Sequence, residues 1–310
     1  MLRRGRGVGL IAAVLMAAVM VPALAQDCPI FDPPEPWQPS TTGQLTSFLA
    51  MPGGTKQQPV LWDDFEVAEV DRAVWSLFNL RRYVPDNAVK RDGDSSIRLY
   101  VDESDIEICG VDEPCQRNEL RVANEHRLPF GAEAWYAFSF RVTGDFPRLD
   151  MPGKTARMVL GQWKQTNGES PYLAQRFDNG IFHITVQDGP CRKLIARAPG
   201  NTGEMPEGLL GGCHADIVVE PAPGTHPLPD PFESWVDMLY RVRGGLDGKG
   251  VIEVWANGEF IARATGSIGH EQGDEDYFKF GIYRRCTLGE VVAHFDNFRR
   301  GPTLESVSEP

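Results

Sequence analysis

The sequence lacks the marks of several common protein classes. It contains no Cys-x-x-Cys pair, which argues against a structural zinc site. No internal repeat and no long low-complexity linker divides its 310 residues, so solenoids and bead-like arrays are not expected. The amphipathic period of surface helices is also scarce. What remains points to a globular β-rich chain.

Positive charge is in short supply as well. Removing three arginines of an N-terminal signal from the 31 basic residues leaves 28 against 43 acidic residues, a net charge of −15. Such a field repels nucleic acid and anionic membranes, so we expect neither as a partner. An anionic ligand would need a local cluster of cations.

The first 25 residues have the pattern of an export signal. Arg3, Arg4 and Arg6 precede an apolar run over 8–21, which ends at Ala23-Leu24-Ala25. The run is shorter than the roughly 20 residues that span a bilayer. We therefore predict cleavage before Gln26 and a periplasmic or secreted protein, expected to be a monomer.

All six cysteines lie in the exported part, where disulfides persist. Cys109 with Cys115 and Cys191 with Cys213 are closest in sequence, which would leave Cys28 to pair with Cys286. Six cysteines allow 15 pairings, so spacing alone leaves the connectivity open.

The body of the chain consists of short β-branched and aromatic stretches separated by turn residues. Most stretches alternate apolar with polar residues, which is typical of half-buried strands. Asn257-Gly258 predicts a tight hairpin turn. We predict an all-β fold, a two-sheet antiparallel sandwich of the jelly-roll, concanavalin-like type. The predicted strands are 96–101, 119–123, 134–142, 156–164, 172–177, 181–187, 235–242, 251–256, 277–284 and 291–298.

Four further segments complete the predicted organisation. We expect an irregular lead-in over 26–60, one domain over 61–301 and a short tail over 302–310. The stretch 199–231 is rich in Pro and Gly and is predicted to be a long loop without strands, of the kind that often walls a binding site.

Residues two apart on a strand share one face of the sheet, and several predicted strands present a polar face. The cations of these faces have few acidic neighbours, although the chain as a whole is acidic, which predicts an anion-binding cleft. For each strand alone, a solvated outer face is the simpler interpretation. The faces carry Arg117, Glu119, Arg121, Gln162, Lys164, Arg176, His183, Tyr277, Lys279 and Tyr283.

Three of these segments resemble the jelly-roll polysaccharide lyases, the relatives of heparin lyase I, glucuronan lyase and alginate lyase. The segments are Gln116-Arg117-Asn118-Glu119-Leu120-Arg121, Gly161-Gln162-Trp163-Lys164 and Tyr277-Phe278-Lys279-Phe280-Gly281-Ile282-Tyr283-Arg284, in that order. The resemblance runs from about Leu61 to Gly301, and its Tyr-x-Lys-x-Gly-x-Tyr strand is the most specific element.

The resemblance implies β-elimination at a uronic acid of an anionic polysaccharide. The C5 proton becomes acidic only when the adjacent carboxylate is neutralised, for which we select Gln162 and Arg117. A base must remove that proton and an acid must protonate O4. A tyrosine beside a cation can serve as either, which selects Tyr283. Substrate contacts are expected from Arg117, Glu119, Arg121, Arg176, Tyr277, Lys279 and Arg284.

The sequence departs from the family pattern at Lys164, where relatives commonly carry histidine. A neutral histidine is a ready base near neutral pH, whereas a lysine must be desolvated or crowded by cations to serve. Lys164 could act in that way, or His183 on the neighbouring strand could substitute for it.

Two other functions remain open. A non-catalytic, lectin-like sandwich would explain the loss of histidine at position 164. Glu103, Asp105 and Glu107 would match the acidic strand of retaining β-glucanases if they shared one strand face, although the segment reads better as a solvated loop.

No cofactor is required by this chemistry. A structural calcium ion is possible by analogy with related sandwiches, with Glu66 and Asp296 as its ligands, and Asp63 and Asp64 also available.

Overall fold

The computed structural model describes residues 58, 60–109, 113–144, 157–166, 170–178, 180–199, 216–285 and 289–308. The predicted signal peptide, nearly all of the lead-in, and Cys28, Cys213 and Cys286 lie outside these ranges. No helix within them is long and apolar enough to cross a membrane. Their only helical turn is a short 3₁₀ segment, Asn124–His126.

Eighteen strands make up the rest of the regular structure in the described ranges. In chain order they are β1 (Leu61–Asp63), β2 (Trp75–Asn79), β3 (Tyr83–Asp86), β4 (Ser96–Val101), β5 (Ile106–Cys109), β6 (Glu113–Val122), β7 (Leu128–Pro129), β8 (Ala134–Gly144), β9 (Arg157–Gln165), β10 (Leu173–Asp178), β11 (Ile181–Asp188), β12 (Cys191–Arg197), β13 (Val218–Glu220), β14 (Val236–Arg243), β15 (Gly245–Ala256), β16 (Glu259–Ile268), β17 (Glu275–Arg285) and β18 (Val291–Gly301).

The strands form two antiparallel sheets. Sheet I has the order β13-β16-β15-β14-β8-β18-β4-β3, with β1 beside β18. Sheet II has the order β12-β11-β10-β9-β17-β6-β2, with β5 beside β6 and β7 beside β17. Together they make the predicted jelly-roll sandwich, so the fold class is confirmed.

The core lies between the two sheets and is rich in aromatic rings. On β17, Phe278, Phe280 and Ile282 alternate inward and are fully buried. Phe278 stacks on Phe298 of sheet I at 5.7 Å between ring centroids, and Phe280 stacks on Phe138 at 5.9 Å. Each such pair adds roughly 0.5–1.5 kcal/mol beyond its burial. The packing fixes which residues of β17 face outward.

All ten predicted strands are present, with ends that differ by a few residues. The prediction that 199–231 contains no strand is wrong at Val218–Glu220. These residues form β13 by pairing with β16, Val219 lying opposite Ala264. An edge strand needs only one partner, so a short apolar pair within a Pro-rich stretch is enough to form it.

A disulfide joins Cys109 at the end of β5 to Cys115 on β6, which is one of the pairings that spacing left open. Cys191, at the start of β12, is also disulfide-bonded. The three other cysteines lie outside the described residues.

Candidate active site

The predicted cleft residues come together on the outer face of sheet II. In the register of β17 with β6, Tyr283 lies opposite Arg117, Gly281 opposite Glu119 and Lys279 opposite Arg121. On its other side β17 pairs with β9, which places Gln162 beside Lys279 and Lys164 beside Tyr277. Three strands that are far apart in sequence therefore assemble one polar surface, which we call the sheet II face.

Glu119 is the centre of this surface. Its side chain is fully buried and its carboxylate accepts a hydrogen bond from the Gln162 amide. Lys279 Nζ lies 3.1 Å from Glu119 Oε2, and Arg117 Nε lies 3.4 Å from the same oxygen. One buried carboxylate thus holds the amide and two cations in fixed positions, because a charge buried away from water must be paired and hydrogen-bonded.

A glycine makes this close approach possible. Gly281 has a φ of +140°, and a Cβ at this position would lie 2.3 Å from the Asn118 carbonyl oxygen and 2.6 Å from Glu119 Cα. A side chain here would push β6 away from β17. The glycine of the Tyr-x-Lys-x-Gly-x-Tyr strand is therefore required for Glu119 to reach Lys279.

Tyr283 lies between two arginines. The guanidinium carbon of Arg117 is 4.5 Å from the centroid of its ring, and that of Arg157 is 5.9 Å away. Tyr283 also lines a small pocket with Arg157, Arg284, Arg285 and the Cys109–Cys115 disulfide. Contacts with two guanidinium groups thus hold the Tyr283 phenol among cations on this face.

Tyr277 has a comparable setting at the other end of β17. Arg121 and Arg127 approach its ring at 5.8 Å and 5.6 Å. Burial raises its pKa, although these cations partly oppose the effect. Tyr277 is therefore held more firmly in the neutral phenol form than an exposed tyrosine.

His183 is engaged at both ring nitrogens. Nδ1 lies 3.0 Å from the Ile181 carbonyl oxygen and Nε2 lies 3.2 Å from Asp178 Oδ2. Burial alone would raise the pKa of Asp178, but His183 and nearby arginines hold that pKa below its usual value. The side chain of His183 is almost fully buried, so this arrangement gives it little access to a substrate.

Arg176 lies beside His183 on the same face and is also buried. Arg284, in contrast, alternates to the other side of β17. Its Nε donates to Gln116 Oε1 and its Nη2 to the Gly289 carbonyl, and burial lowers its pKa to about 10. Of the predicted substrate-binding side chains, Arg284 is therefore the one that lies on the opposite face of its strand, although it lines the small pocket beside Tyr283.

The acidic segment before β5 does not form a catalytic strand. Glu103 lies in a turn, and β5 begins only at Ile106. Asp105 forms an ion pair with Arg82, while Glu107 forms ion pairs with Arg81 and Arg117. The interpretation as a solvated acidic loop holds for Glu103, which is exposed, but is wrong for Asp105, which is buried. Glu107 supports Arg117.

Sequence analysis missed Arg157 because β9 contains a bulge. Ala174 pairs with Gln162 but Arg176 pairs with Val159, so three residues of β9 span two of β10. The extra residue, around Leu160-Gly161, brings Arg157 and Val159 to the same face as Gln162 and Lys164. Strict alternation places Arg157 on the wrong side. Gly161 within a strand was the one available signal of the bulge.

Comparisons with known proteins identify a family and a common fold. The polysaccharide lyase family model matches residues 54–299. An endo-β-1,4-glucuronan lyase from the fungus Trichoderma reesei has a similar structure, with a TM-score of 0.50 and 13% identity, over 81% of this chain and 98% of that one. At this identity the likeness shows a common fold.

Two further solved structures are more distant. An alginate lyase of polysaccharide lyase family 7 gives a TM-score of 0.43 and 12% identity, over 70% of this chain and 81% of that one. A cellulose-induced protein gives 0.42 and 15%, over 78% and 97%. A search of curated proteins gives no match.

Proposed function

The chain belongs to the polysaccharide lyase family, and on that premise we propose that it cleaves a uronic-acid-containing polysaccharide by β-elimination with Tyr283 as the proton-exchanging group. The observation that carries the proposal is the position of Tyr283 between Arg117 and Arg157, on the same face as Gln162 and Lys279. That arrangement supplies a phenol, hydrogen-bond donors and positive charge on one surface.

In the proposed reaction a proton leaves C5 of the uronate, the C4–O4 bond breaks and a C4–C5 double bond forms. The departing O4 takes up a proton. Arg117 is the best-placed group to neutralise the substrate carboxylate, because its side chain retains 24% exposure while that of Lys279 retains 8%. The Gln162 side chain is mostly buried and lies at the base of the site. Tyr283 removes the C5 proton as phenolate, and its regenerated hydroxyl can protonate O4.

Lys164 lies beside Tyr277 at the edge of this set. We assign it to binding the polyanionic chain, because the base role is better met by Tyr283 between its two arginines. Its replacement by His should therefore alter affinity for the polymer more than the rate of the bound complex. A collapse of kcat at unchanged KM would instead place Lys164 in the chemistry.

A non-catalytic glycan-binding role is the second candidate, and one observation favours it. The Gln162 amide and the Lys279 ammonium both donate to Glu119, so donors that a lyase would direct at the substrate are already used. A binding protein needs only the cationic surface.

Ultraviolet absorbance of the new C4–C5 double bond separates the two functions. The purified protein is incubated with glucuronan, alginate, heparin and heparan sulfate. We expect product from at least one polymer, and a loss of activity of roughly 10²–10⁴-fold in Tyr283→Phe. Tyr100→Phe is the matched control, because Arg82 and Arg98 flank Tyr100 on sheet I at 4.6 Å and 4.4 Å. Binding without absorbance on any polymer would establish the second candidate.

We also propose the calcium ion predicted at Glu66 and Asp296. Asp296 accepts N–H groups of Arg91, Asp92 and Asn297, and Glu66 accepts that of Asp94. Burial, together with the charge of Glu66, nevertheless raises the pKa of Asp296 to about 6. A cation held by both carboxylates would remove this repulsion. A chelator should lower Tm reversibly in the parent but not in Glu66→Gln, and an unchanged Tm in the parent would refute the ion.

Export is proposed on two grounds, the N-terminal pattern and the Cys109–Cys115 disulfide, since such bonds persist in oxidising compartments. Mass spectrometry of the protein released by the producing cell should give an N-terminus at Gln26. An intact chain beginning at Met1 would contradict cleavage.

A further inference from the structure

Sheet I carries a row of side chains with aromatic rings at both ends of its outer face. Trp62 of β1 lies between two buried neighbours and is itself 62% exposed. Trp255 of β15 lies between the buried Val254 and Ala256, so its side chain also faces outward. Strand register places both residues at one level across the sheet. In order, the row consists of Trp62, Arg299, Ala137, Leu239, Trp255 and Phe260.

The far end of the row is a cluster of three rings. The Trp255 ring lies nearly parallel to that of Trp135, with 5.6 Å between centroids. It also contacts Phe260 at 5.5 Å, and Phe260 is 38% exposed. Neighbouring strands lie about 4.8 Å apart, so the five intervals from Trp62 to Phe260 span about 24 Å. The face is therefore long enough for an extended chain that crosses the strands.

A polar cavity lies between the two aromatic ends. Its volume is about 370 Å³, and the small residues Ala137 and Ser139 of β8 leave room for it. Asp237, Asn297 and Arg299 also line it, which surrounds the space with carboxylate, amide and guanidinium groups. Small-molecule sites are concave, have volumes of about 300–1,000 Å³ and carry a few placed polar groups. The cavity has the size and the hydrogen-bonding groups of such a site.

The charged groups of the cavity already have partners within the protein. Arg91 donates from Nε and Nη2 to the two oxygens of Asp237, both at 2.8 Å, and the Ser139 hydroxyl donates to Asp237 Oδ1 at 2.8 Å. Arg299 donates to the Ser308 carbonyl oxygen. A carboxylate has roughly four acceptor positions, so Asp237 can still accept from a hydroxyl group. Paired charge of this kind suits a neutral ligand rich in hydroxyls and does not select an acidic one.

We propose that the outer face of sheet I binds a neutral polysaccharide chain, with one sugar in the cavity and further sugars stacked on Trp62 and Trp255. The C–H groups of a pyranose with equatorial hydroxyls form an apolar face that packs on an aromatic ring, while the hydroxyls at its rim hydrogen-bond with polar side chains. A protein partner would instead need a continuous apolar centre, and here the rings stand on either side of a polar cavity. This site goes beyond the proposed lyase activity and does not depend on it.

Isothermal titration with cellohexaose, a neutral extended chain with equatorial hydroxyls, tests the site. Trp62→Ala and Trp255→Ala should each raise Kd at least fivefold, whereas Trp62→Phe keeps a ring and should retain most of the affinity. Phe78→Ala is the matched control, because Phe78 is 73% exposed but lies on β2 of sheet II, and it should leave Kd unchanged. Circular dichroism checks that each variant folds. If Trp255→Ala does not fold, the exposed Trp62 carries the test alone.

The other outcomes overturn the site. No binding of cellohexaose by the parent would do so, as would an unchanged Kd in Trp62→Ala. An equal loss in Phe78→Ala would assign the ligand to sheet II. Dimerisation of the parent that Trp62→Ala abolishes, without binding of cellohexaose, would show that a second copy covers this face. The lyase assay stays separate: Trp62→Ala should leave the absorbance from polyuronates unchanged, and a parent that gives no absorbance but binds cellohexaose through Trp62 loses the lyase and keeps this site.

Discussion

The arginines on the outer faces of the two sheets differ in their partners. On sheet I several arginines pair with carboxylates, while Arg243 and Arg299 donate to backbone carbonyl oxygens. Arg91 donates from Nε and Nη2 to the two oxygens of Asp237, both at 2.8 Å. Arg241 reaches Glu133 at 2.9 Å and Glu253 at 3.2 Å. On the sheet II face the described cations outnumber the carboxylates, and Arg176 has no partner for its terminal nitrogens.

The comparison separates cations that are paired within the protein from cations whose pairing is incomplete. Paired surface ions contribute little to stability and attract no polyanion, because their fields cancel at short range. A crowded cationic surface costs stability in the free protein and recovers it when an anion binds. In an acidic chain, the sheet II face is the surface on which we propose that a polyanion binds.

The largest expected effect comes from removing the central carboxylate of the sheet II face. Glu119→Gln leaves Lys279 buried without its counter-ion, which should cost about 3–5 kcal/mol of unfolding free energy in urea titrations. The matched change on sheet I is Glu253→Gln. It should cost about 1 kcal/mol, because Arg241 keeps Glu133 and the Arg263 side chain is half exposed.

Equal costs for the two variants would remove the contrast between the faces. The double variant Glu119→Gln with Lys279→Met should recover part of the loss, since the stranded charge is then absent.

Gly281→Ala is expected to cost about 3 kcal/mol, because a side chain there is strained and collides with β6. Gly258→Ala in the hairpin of sheet I also has positive φ but nothing within 4 Å of the added methyl group. It should cost about 1 kcal/mol. Thermal and urea unfolding of both variants check the values, and a milder effect at position 281 would mean that β6 and β17 can separate freely.

A buried acid of β17 makes stability depend on pH. Burial raises the pKa of Asp276 to about 7, and the Tyr172 hydroxyl donates to its carboxylate at 3.0 Å. The folded state therefore holds its proton more tightly than the unfolded chain, so this contribution is present at low pH and is lost as pH rises. Between pH 5 and 8 the loss should be about 2.5 kcal/mol.

Asp276→Asn should flatten that slope. Asp237 on sheet I is the opposite case, since its hydrogen bonds with Arg91 lower its pKa. Asp237→Asn should therefore leave the slope between pH 5 and 8 intact and act only near pH 4 and below. Urea titrations at about pH 4, 5 and 8 test the two variants. An unaltered slope in Asp276→Asn would show that Asp276 is not the source of the pH dependence.

The smallest effect is expected at the surface of sheet I. Arg263→Gln breaks the ion pair between Arg263 and Glu253. The Arg263 side chain is 50% exposed, so the stability change should be below about 1 kcal/mol. Binding of polyuronates should not change. A measurable loss of binding would show that the polymer also contacts sheet I.

The alternation of residues was enough to predict most of the sheet II face. Alternation correctly places Tyr277, Lys279 and Tyr283 on one face, because β17 has no bulge against β6. Contacts between distant strands were not readable: nothing local indicates that Glu119 accepts from both Gln162 and Lys279. Short strands such as β1 and β13 were missed because pairing with a neighbour, and not their own composition, forms them.

The bulge in β9 separates two halves of one strand. Gln162 and Lys164 follow it, whereas Arg157 precedes it. Deleting a single residue at Leu160-Gly161 would turn Arg157 toward the core and leave Gln162 where it is, because strand faces alternate with a period of two. One codon therefore suffices to turn Arg157 inward without moving Gln162. If the proposed function holds, a descendant or a designer could alter polymer binding through this strand while Glu119 and its partners stay in place.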